Sequence, residues 1–123
     1  MKKRGLLNPE LNAAIARLGH LDTFVIADCG LPLPPTVPVI DLALVFGIPS
    51  FEEVTRAIKD EVVIDSVLLT DQAPKSVRRL FKCETTEVSH EELKERLGKA
   101  KFIVRTGSTT PFANAIVTCG VAF

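Results

Sequence analysis

The sequence predicts an α/β fold: a three-layer α/β/α arrangement around a mostly parallel, mixed sheet, built as a single domain over residues 1–123. Three observations carry that prediction. Short apolar runs alternate with helix-patterned segments along the whole chain. Three of the four helical segments open on Asn or Ser capping signals. No repeat, low-complexity stretch or linker divides the chain, and a chain of this size buries about two-thirds of its unfolded surface, enough for one core without metal or disulfide staples.

Asn8-Pro9-Glu10 starts the first helix, with a capping amide, proline at the first helical position and an acid at the positive dipole end. Leu11, Ala14, Ile15 and Leu18 then make one buried stripe, and Gly19 is placed as a left-handed stop. Thr23 to Ala27 is a nearly continuous apolar run, the mark of a strand covered on both faces. Asp28-Cys29-Gly30 breaks it, and Leu31 to Pro35 reads as a stiff extended loop. Val39 to Val45 is the second strand candidate, ended by Gly47 and Pro49. Ser50 to Glu53 has capping-box spacing, and Phe51, Val54 and Ile58 give that helix an inner face. Strand material follows at Val62-Val63-Ile64 and Val67-Leu68-Leu69, then a short helix from Pro74 to Phe81 and a strand from Thr85 to Val88. Ser89 to Glu92 repeats the capping box, with Leu93 and Leu97 inside and Gly98 as terminator. Phe102-Ile103-Val104 and Ala115-Ile116-Val117 supply the last two strands.

Composition narrows the function. Lys+Arg and Asp+Glu are both 15, so the basic excess of a nucleic-acid binder is missing. Trp and Tyr are absent, which leaves seven Phe as the whole aromatic supply for stacking on bases or sugar faces. The basic start at Met1 to Arg4 is followed by too short an apolar run for a signal peptide, and no run approaches the ~18 apolar residues of a membrane span. Cys29, Cys83 and Cys119 form neither an even set nor a metal-type spacing, which predicts a reduced, cytoplasmic protein whose cysteines pack as core. No nucleotide-binding glycine motif, nucleophile elbow or HExxH is present.

A small polar set remains at the ends of predicted elements, where open α/β sheets hold ligands: His20, Asp22, Asp28, His90, Arg105 and Asn114. His20 follows a helix end, either as a general acid or base titrating near neutral pH or as an imidazole answering the dipole. Asp28 closes an apolar strand, either paired to His20 across the helix-to-strand turn or as a turn former. His90 opens a helix beside two acids, as a ligand or as an exposed first-turn residue. Asn114 either reads a hydroxyl through its amide or caps a turn. Arg105 reads as a solvated charge at a strand end. A metal site using both imidazoles with an aspartate or cysteine has no spacing in its favour.

Read in order, the chain resembles the D-ribose pyranase family of sugar mutarotases. The resemblance runs through Ile15-Ala16-Arg17-Leu18-Gly19-His20, Asp22-Thr23, Asp28-Cys29-Gly30-Leu31-Pro32 and Ile40 to Leu44. It continues through Pro49-Ser50-Phe51, Ser89-His90-Glu91-Glu92, Arg105-Thr106-Gly107 and Pro111 to Phe123. The segment from about Asp60 to Glu87 diverges. The resemblance implies a cofactor-free, metal-free isomerase that interconverts the pyranose and furanose rings of D-ribose. It also implies a ring-shaped homo-oligomer (pentamer rings or a decamer) with the site in a cleft between neighbouring subunits. By motif position, His20 matches the proton donor, and Asp28, His90 and the Phe112-Ala113-Asn114 stretch match sugar-binding residues. The family usually has Tyr where this chain has Phe112, which removes one hydroxyl from that set.

The chemistry is consistent with those residue types. Changing ring size opens a hemiacetal and recloses it through a different hydroxyl, which needs acid–base groups and a held open chain but no redox centre. Subunit contacts are also expected from the mean hydropathy of +0.25 and the apolar segment Val121-Ala122-Phe123, placed at or near a subunit boundary where it would fix the loop carrying Asn114. Two other readings stay open: a mutarotase of another monosaccharide, or a non-catalytic sugar-binding accessory of a ribose transport system.

Overall fold

Local signals set most of the elements. The computed structural model describes residues 1–123 and contains, in order, α1 (Pro9–Ala16), β1 (Thr23–Ala27), β2 (Val39–Asp41), α2 (Phe51–Lys59), β3 (Ile64–Thr70), α3 (Lys75–Arg78), β4 (Glu84–Val88), α4 (His90–Arg96), β5 (Ile103–Arg105) and β6 (Ala115–Cys119). Asn8 Oδ1 accepts the Leu11 N–H at 2.8 Å and starts α1 behind Pro9. Ser50 and Glu53 form a complete capping box at α2, each side chain accepting the other's backbone N–H. At α4 only half of the box forms. Ser89 accepts the Glu92 N–H, while the Glu92 carboxylate turns to Arg96 at 2.6 Å, where a guanidinium outcompetes a backbone donor.

Two expected glycine stops are not used. The helix α1 ends at Ala16, and the left-handed residue of the following turn is Leu21, with φ 67°, not Gly19. The sheet decides this: the Leu21 N–H is drawn to the Cys119 carbonyl at 2.9 Å, and the Asp22 carboxylate accepts the Gly19 N–H. Likewise α4 runs on as a 3₁₀ turn over Leu97–Lys99, so Gly98 lies inside it. The strand expected over Val39 to Val45 keeps only Val39–Asp41. Beyond it, Asp41 accepts the Ala43 N–H and a tight turn joins Val45 to Ile48, leaving Leu44, Val45, Phe46 and Ile48 exposed. That turn lies against Gly107, where a Cβ would meet the Ile48 carbonyl oxygen at 2.4 Å, so only glycine fits.

The six strands form one mixed sheet in the order β2-β5-β1-β6-β3-β4. β2, β5 and β1 are parallel, as are β3 and β4, while β6 runs antiparallel to both β1 and β3. The predicted mostly parallel, mixed sheet is therefore the one observed, with β6 as its single reversed strand. The nine residues from Thr106 to Asn114 are too few for a helical crossover, so β6 must return in the opposite direction. It passes over β1 and is inserted at the sheet's centre, which explains its nearly complete burial.

Helices cover the two faces unequally. Nineteen buried residues, including Phe24, Ile26, Phe51, Ile58, Phe102 and Val117, form the larger core, with Phe24 stacked on Phe102 at 5.2 Å. Nine, including Val25, Leu31, Leu93, Leu97 and Ile103, form the smaller core beneath α4 and the proline-rich loop. No helix is long and apolar enough to cross a membrane.

Candidate active site

The five co-directed strands finish at one end of the sheet, and β6 starts there. Asp28 follows β1, Asp41 and Arg105 close β2 and β5, His90 opens the helix after β4, and Phe112 to Asn114 lead into β6. Four of the expected site positions thus converge: Asp28, His90, Phe112 and Asn114, with Ala113 buried between the last two. Sequence separation conceals this, since Asp28 and Asn114 lie 86 residues apart.

Asp28 is held from several directions. The Asn114 amide, fully buried, accepts the Asp28 N–H through Oδ1 at 2.8 Å and donates from Nδ2 to the Asp28 carboxylate at 2.9 Å. The Gly30 N–H donates to the other carboxylate oxygen at 2.8 Å, closing an Asx turn. Thr106 supplies both its backbone N–H and its hydroxyl to the Ala27 carbonyl, and Ser108 accepts the Cys29 N–H. The carboxylate is therefore fixed in direction before any ligand arrives, with lone pairs left over to accept hydroxyl protons. Asn114 is spent on Asp28 from both ends of its amide, so its first effect on a ligand passes through that carboxylate.

His90 stands beside this pair. Its ring meets the Phe112 ring edge to face, with centroids 5.1 Å apart. Phe112 has φ 61°, a left-handed conformation that costs an L-residue roughly 1–2 kcal/mol and persists only where its surroundings demand it. Ala113 and Asn114, both fully buried, follow it directly. The Nδ1 atom of His90 is buried without a hydrogen-bond partner. In a neutral imidazole, a proton on Nε2 leaves Nδ1 as a buried lone pair, which is tolerated better than a buried orphan N–H, and makes Nε2 a hydrogen-bond donor.

Arg105 differs from its expected role as a solvated charge. Its Nε and Nη2 donate to the Cys29 carbonyl at 3.2 and 2.8 Å, and its Nη1 pairs with Asp41 at 2.9 Å. No local pattern signals this contact, because its partner is 76 residues away.

His20 does not join this group within one chain. It is exposed and lies before β1, whereas Asp28 lies after it, and a five-residue strand spans about 17 Å. Of the two readings of Asp28, the pairing with His20 is therefore absent within one chain, because the strand carries the two residues to opposite ends of the sheet, and the turn former is the one observed. A metal site using both imidazoles of one chain fails for the same reason. At the His20 end, Asp22 accepts the Gly19 N–H and lies 3.6 Å from Lys101. Burial and the nearby Asp22 charge push the Cys119 thiol up to about 11, so it is an inert core group; burial also raises Cys83. The segment Val121 to Phe123 leaves β6 at this same end, so it cannot brace the loop carrying Asn114 in its own chain.

Beside Arg105, an open cavity of about 330 Å³ is lined by Cys29, Ala43, Leu44, Val45 and Phe46. Larger cavities of about 350 Å³ on the α4 face and about 500 Å³ between α1 and β2 are lined by neither Asp28, His90 nor Asn114.

Comparison with known proteins gives a consistent picture. The RbsD / FucU transport protein family matches residues 1–122. A D-ribose pyranase of Corynebacterium glutamicum is 54% identical over 123 residues, covering all of both chains. One of Cutibacterium acnes is 57% identical over 127 residues, again with full coverage. Among solved structures, Bacillus subtilis RbsD complexed with D-ribose superposes with a TM-score of 0.93 at 39% identity over all of both chains. A fucose mutarotase from Streptococcus pneumoniae shares the fold at a TM-score of 0.78, with 23% identity over 94% of each chain.

Proposed function

We propose that this chain, which belongs to the RbsD / FucU transport protein family, is a D-ribose pyranase, an isomerase that interconverts the pyranose and furanose forms of the sugar. The observation that carries the reading is full-length similarity, at a TM-score of 0.93, to a relative whose structure holds D-ribose. Curated D-ribose pyranases at 44–57% identity over the whole chain support it.

The mechanism follows from the hemiacetal. An acid gives a proton to the ring oxygen while the anomeric hydroxyl loses one, the C1–O bond breaks, and the aldehyde forms. After bond rotation, a different hydroxyl attacks C1 and passes its proton to the group that served as acid. The anomeric oxygen regains a proton, and the site is reset without a cofactor. His20 is the acid, suited by an imidazole's capacity to give and recover a proton near neutral pH. Asp28 accepts hydroxyl protons in a fixed direction, His90 donates through Nε2, and the Phe112 ring packs against the sugar. Ala113 and Asn114 hold the loop between them.

Because His20 and Asp28 stand at opposite ends of one sheet, the working site combines two subunits: His20 from one, and Asp28, His90 and Phe112 to Asn114 from its neighbour. A contact between unlike ends is heterologous, and where its rotation closes it builds a ring. The exposed apolar residues at both ends, Leu44 and Phe46 near Asp28 and Leu21, Val121 and Phe123 near His20, support a homo-oligomer of that kind. We place the protein in the cytoplasm, where its three thiols stay reduced.

Exchange NMR on D-ribose, with and without the protein, tests the reading. Faster pyranose–furanose exchange is expected. Ribose binding with unchanged exchange would leave a sugar-binding accessory, and faster exchange of another sugar alone would redirect the assignment.

A further inference from the structure

We infer that Arg105 is a positioning residue for the Asp28 carboxylate, acting through the single peptide unit between Cys29 and Gly30. The inference rests on the role of Asp28 proposed above. A trans peptide is a rigid plane whose C=O and N–H point in opposite directions. At the Cys29–Gly30 plane, Arg105 grips the carbonyl end with Nε and Nη2, at 3.2 and 2.8 Å, and the N–H end donates to Asp28 Oδ1 at 2.8 Å. The guanidinium thereby fixes the tilt of that plane, and its charge polarises the peptide so that the N–H becomes a stronger donor to the carboxylate.

The rest of the surroundings make this grip decisive. Of the peptide units around Asp28, the one before it is tied at both ends, by Thr106 on the Ala27 carbonyl and by Asn114 on the Asp28 N–H. The Cys29 N–H is tied to the Ser108 carbonyl. The Cys29–Gly30 unit begins the turn toward the loop, and the Cys29 carbonyl's side-chain partner is Arg105. Nor is Arg105 a free cation waiting for an anionic ligand. Its Nη1 is paired with Asp41 at 2.9 Å, and Asp41 in turn accepts the Ala43 N–H, so the guanidinium is aimed from behind. Lysine, with a point charge and no planar fork, cannot hold both the Cys29 carbonyl and Asp41 in this geometry.

The test compares the wild-type protein with Arg105→Gln, Arg105→Lys, Asp28→Asn and the Arg105→Gln/Asp28→Asn double variant. Ribose exchange gives kcat and KM, ribose titration gives affinity, and hydrogen exchange read by mass spectrometry follows the amides of residues 28–31. For Arg105→Gln we expect a fall in kcat/KM of about 10–100-fold, the range that ångström-scale misplacement produces, with partial recovery in Arg105→Lys. The Gly30 amide should lose protection in Arg105→Gln without sugar present. In the double variant, ribose affinity should be no weaker than in Asp28→Asn alone, because a residue acting through Asp28 has nothing left to act on. Additive losses would overturn the inference by giving Arg105 an independent role. Wild-type kcat, KM and Gly30 protection in Arg105→Gln would overturn it outright, as would a loss that only tracks the folded fraction. Should Arg105→Gln not fold, Arg105→Lys with intact kinetics and protection would also refute it. A wild-type protein that leaves ribose exchange unchanged defeats the proposed function instead, and the sugar-free Gly30 protection then decides the Arg105 grip alone.

Discussion

Replacing Asn114 by Ala removes the two hydrogen bonds that join β6 to the end of β1, and the structure sets the size of the loss. One is a neutral bond from the Asp28 N–H at 2.8 Å, the other a charge-assisted bond to its carboxylate at 2.9 Å. Net values for such bonds are about 1 and about 1.5–3 kcal/mol, and the part-buried Asp28 N–H is left without its partner. Asn114 is fully buried, so the deleted amide also leaves a void. Because these contributions are not independent, we expect a total near 3 kcal/mol, a large share of the roughly 5–15 kcal/mol by which domains are stable. For a chain of this size that lowers Tm by about 12 °C. The carboxylate is also freed to turn away from the sugar, so kcat/KM should fall by about 100-fold even in the fraction that stays folded. Differential scanning calorimetry and ribose exchange NMR on the same preparation read both effects. Asn114→Asp keeps the volume but sets a second carboxylate against Asp28, so its deficit should shrink as pH falls and one of the pair takes up a proton. A variant Asn114→Ala with wild-type Tm and exchange rate would refute the argument that Asn114 holds Asp28 in place.

His20→Ala should abolish the acceleration of ring exchange with little change in Tm, since His20 is exposed, and mixing it with Asp28→Asn subunits should restore part of the activity by pairing an intact half-site from each; mixtures that stay dead after subunit exchange count against a composite site. Phe112→Tyr returns a hydroxyl beside His90 and should lower KM for ribose several-fold, on the order of one added hydrogen bond, which a titration would detect; unchanged affinity would show that the ring alone matters. The Cys119 thiol ionises near pH 9.0 when unfolded and at about 11 when folded, so its contribution is present below pH 9 and is lost as pH rises toward 11. Tm should therefore fall more steeply across that window in the wild type than in Cys119→Ala, and parallel curves would contradict the assignment.

Much of the fold is legible in short stretches of sequence. The caps at Asn8, Ser50 and Ser89 act over three residues, and the apolar run Thr23–Ala27 marks a strand buried on both faces, so these elements lie where the patterning puts them. The glycine stops at Gly19 and Gly98 go unused because sheet hydrogen bonds and a 3₁₀ turn settle those termini. For the candidate site, residue type and position at element ends mark out Asp28, His90 and Asn114, and resemblance to a family adds Phe112 and Ala113. Neither shows which of them touch.

What the sequence by itself determined is therefore local: helix starts, strand cores, the absence of a membrane-length helix, and a polar set confined to element ends. The tertiary structure decided how those ends meet. It reversed β6 and inserted it between β1 and β3, which brought Asn114 to Asp28 across 86 residues. It turned Arg105 from a strand-end charge into a clamp on the Cys29 carbonyl, and it carried His20 to the far end of β1 from Asp28. The physical reason is the range of the forces: capping and periodicity are satisfied within a few residues, whereas strand order is chosen by burial of the whole sheet.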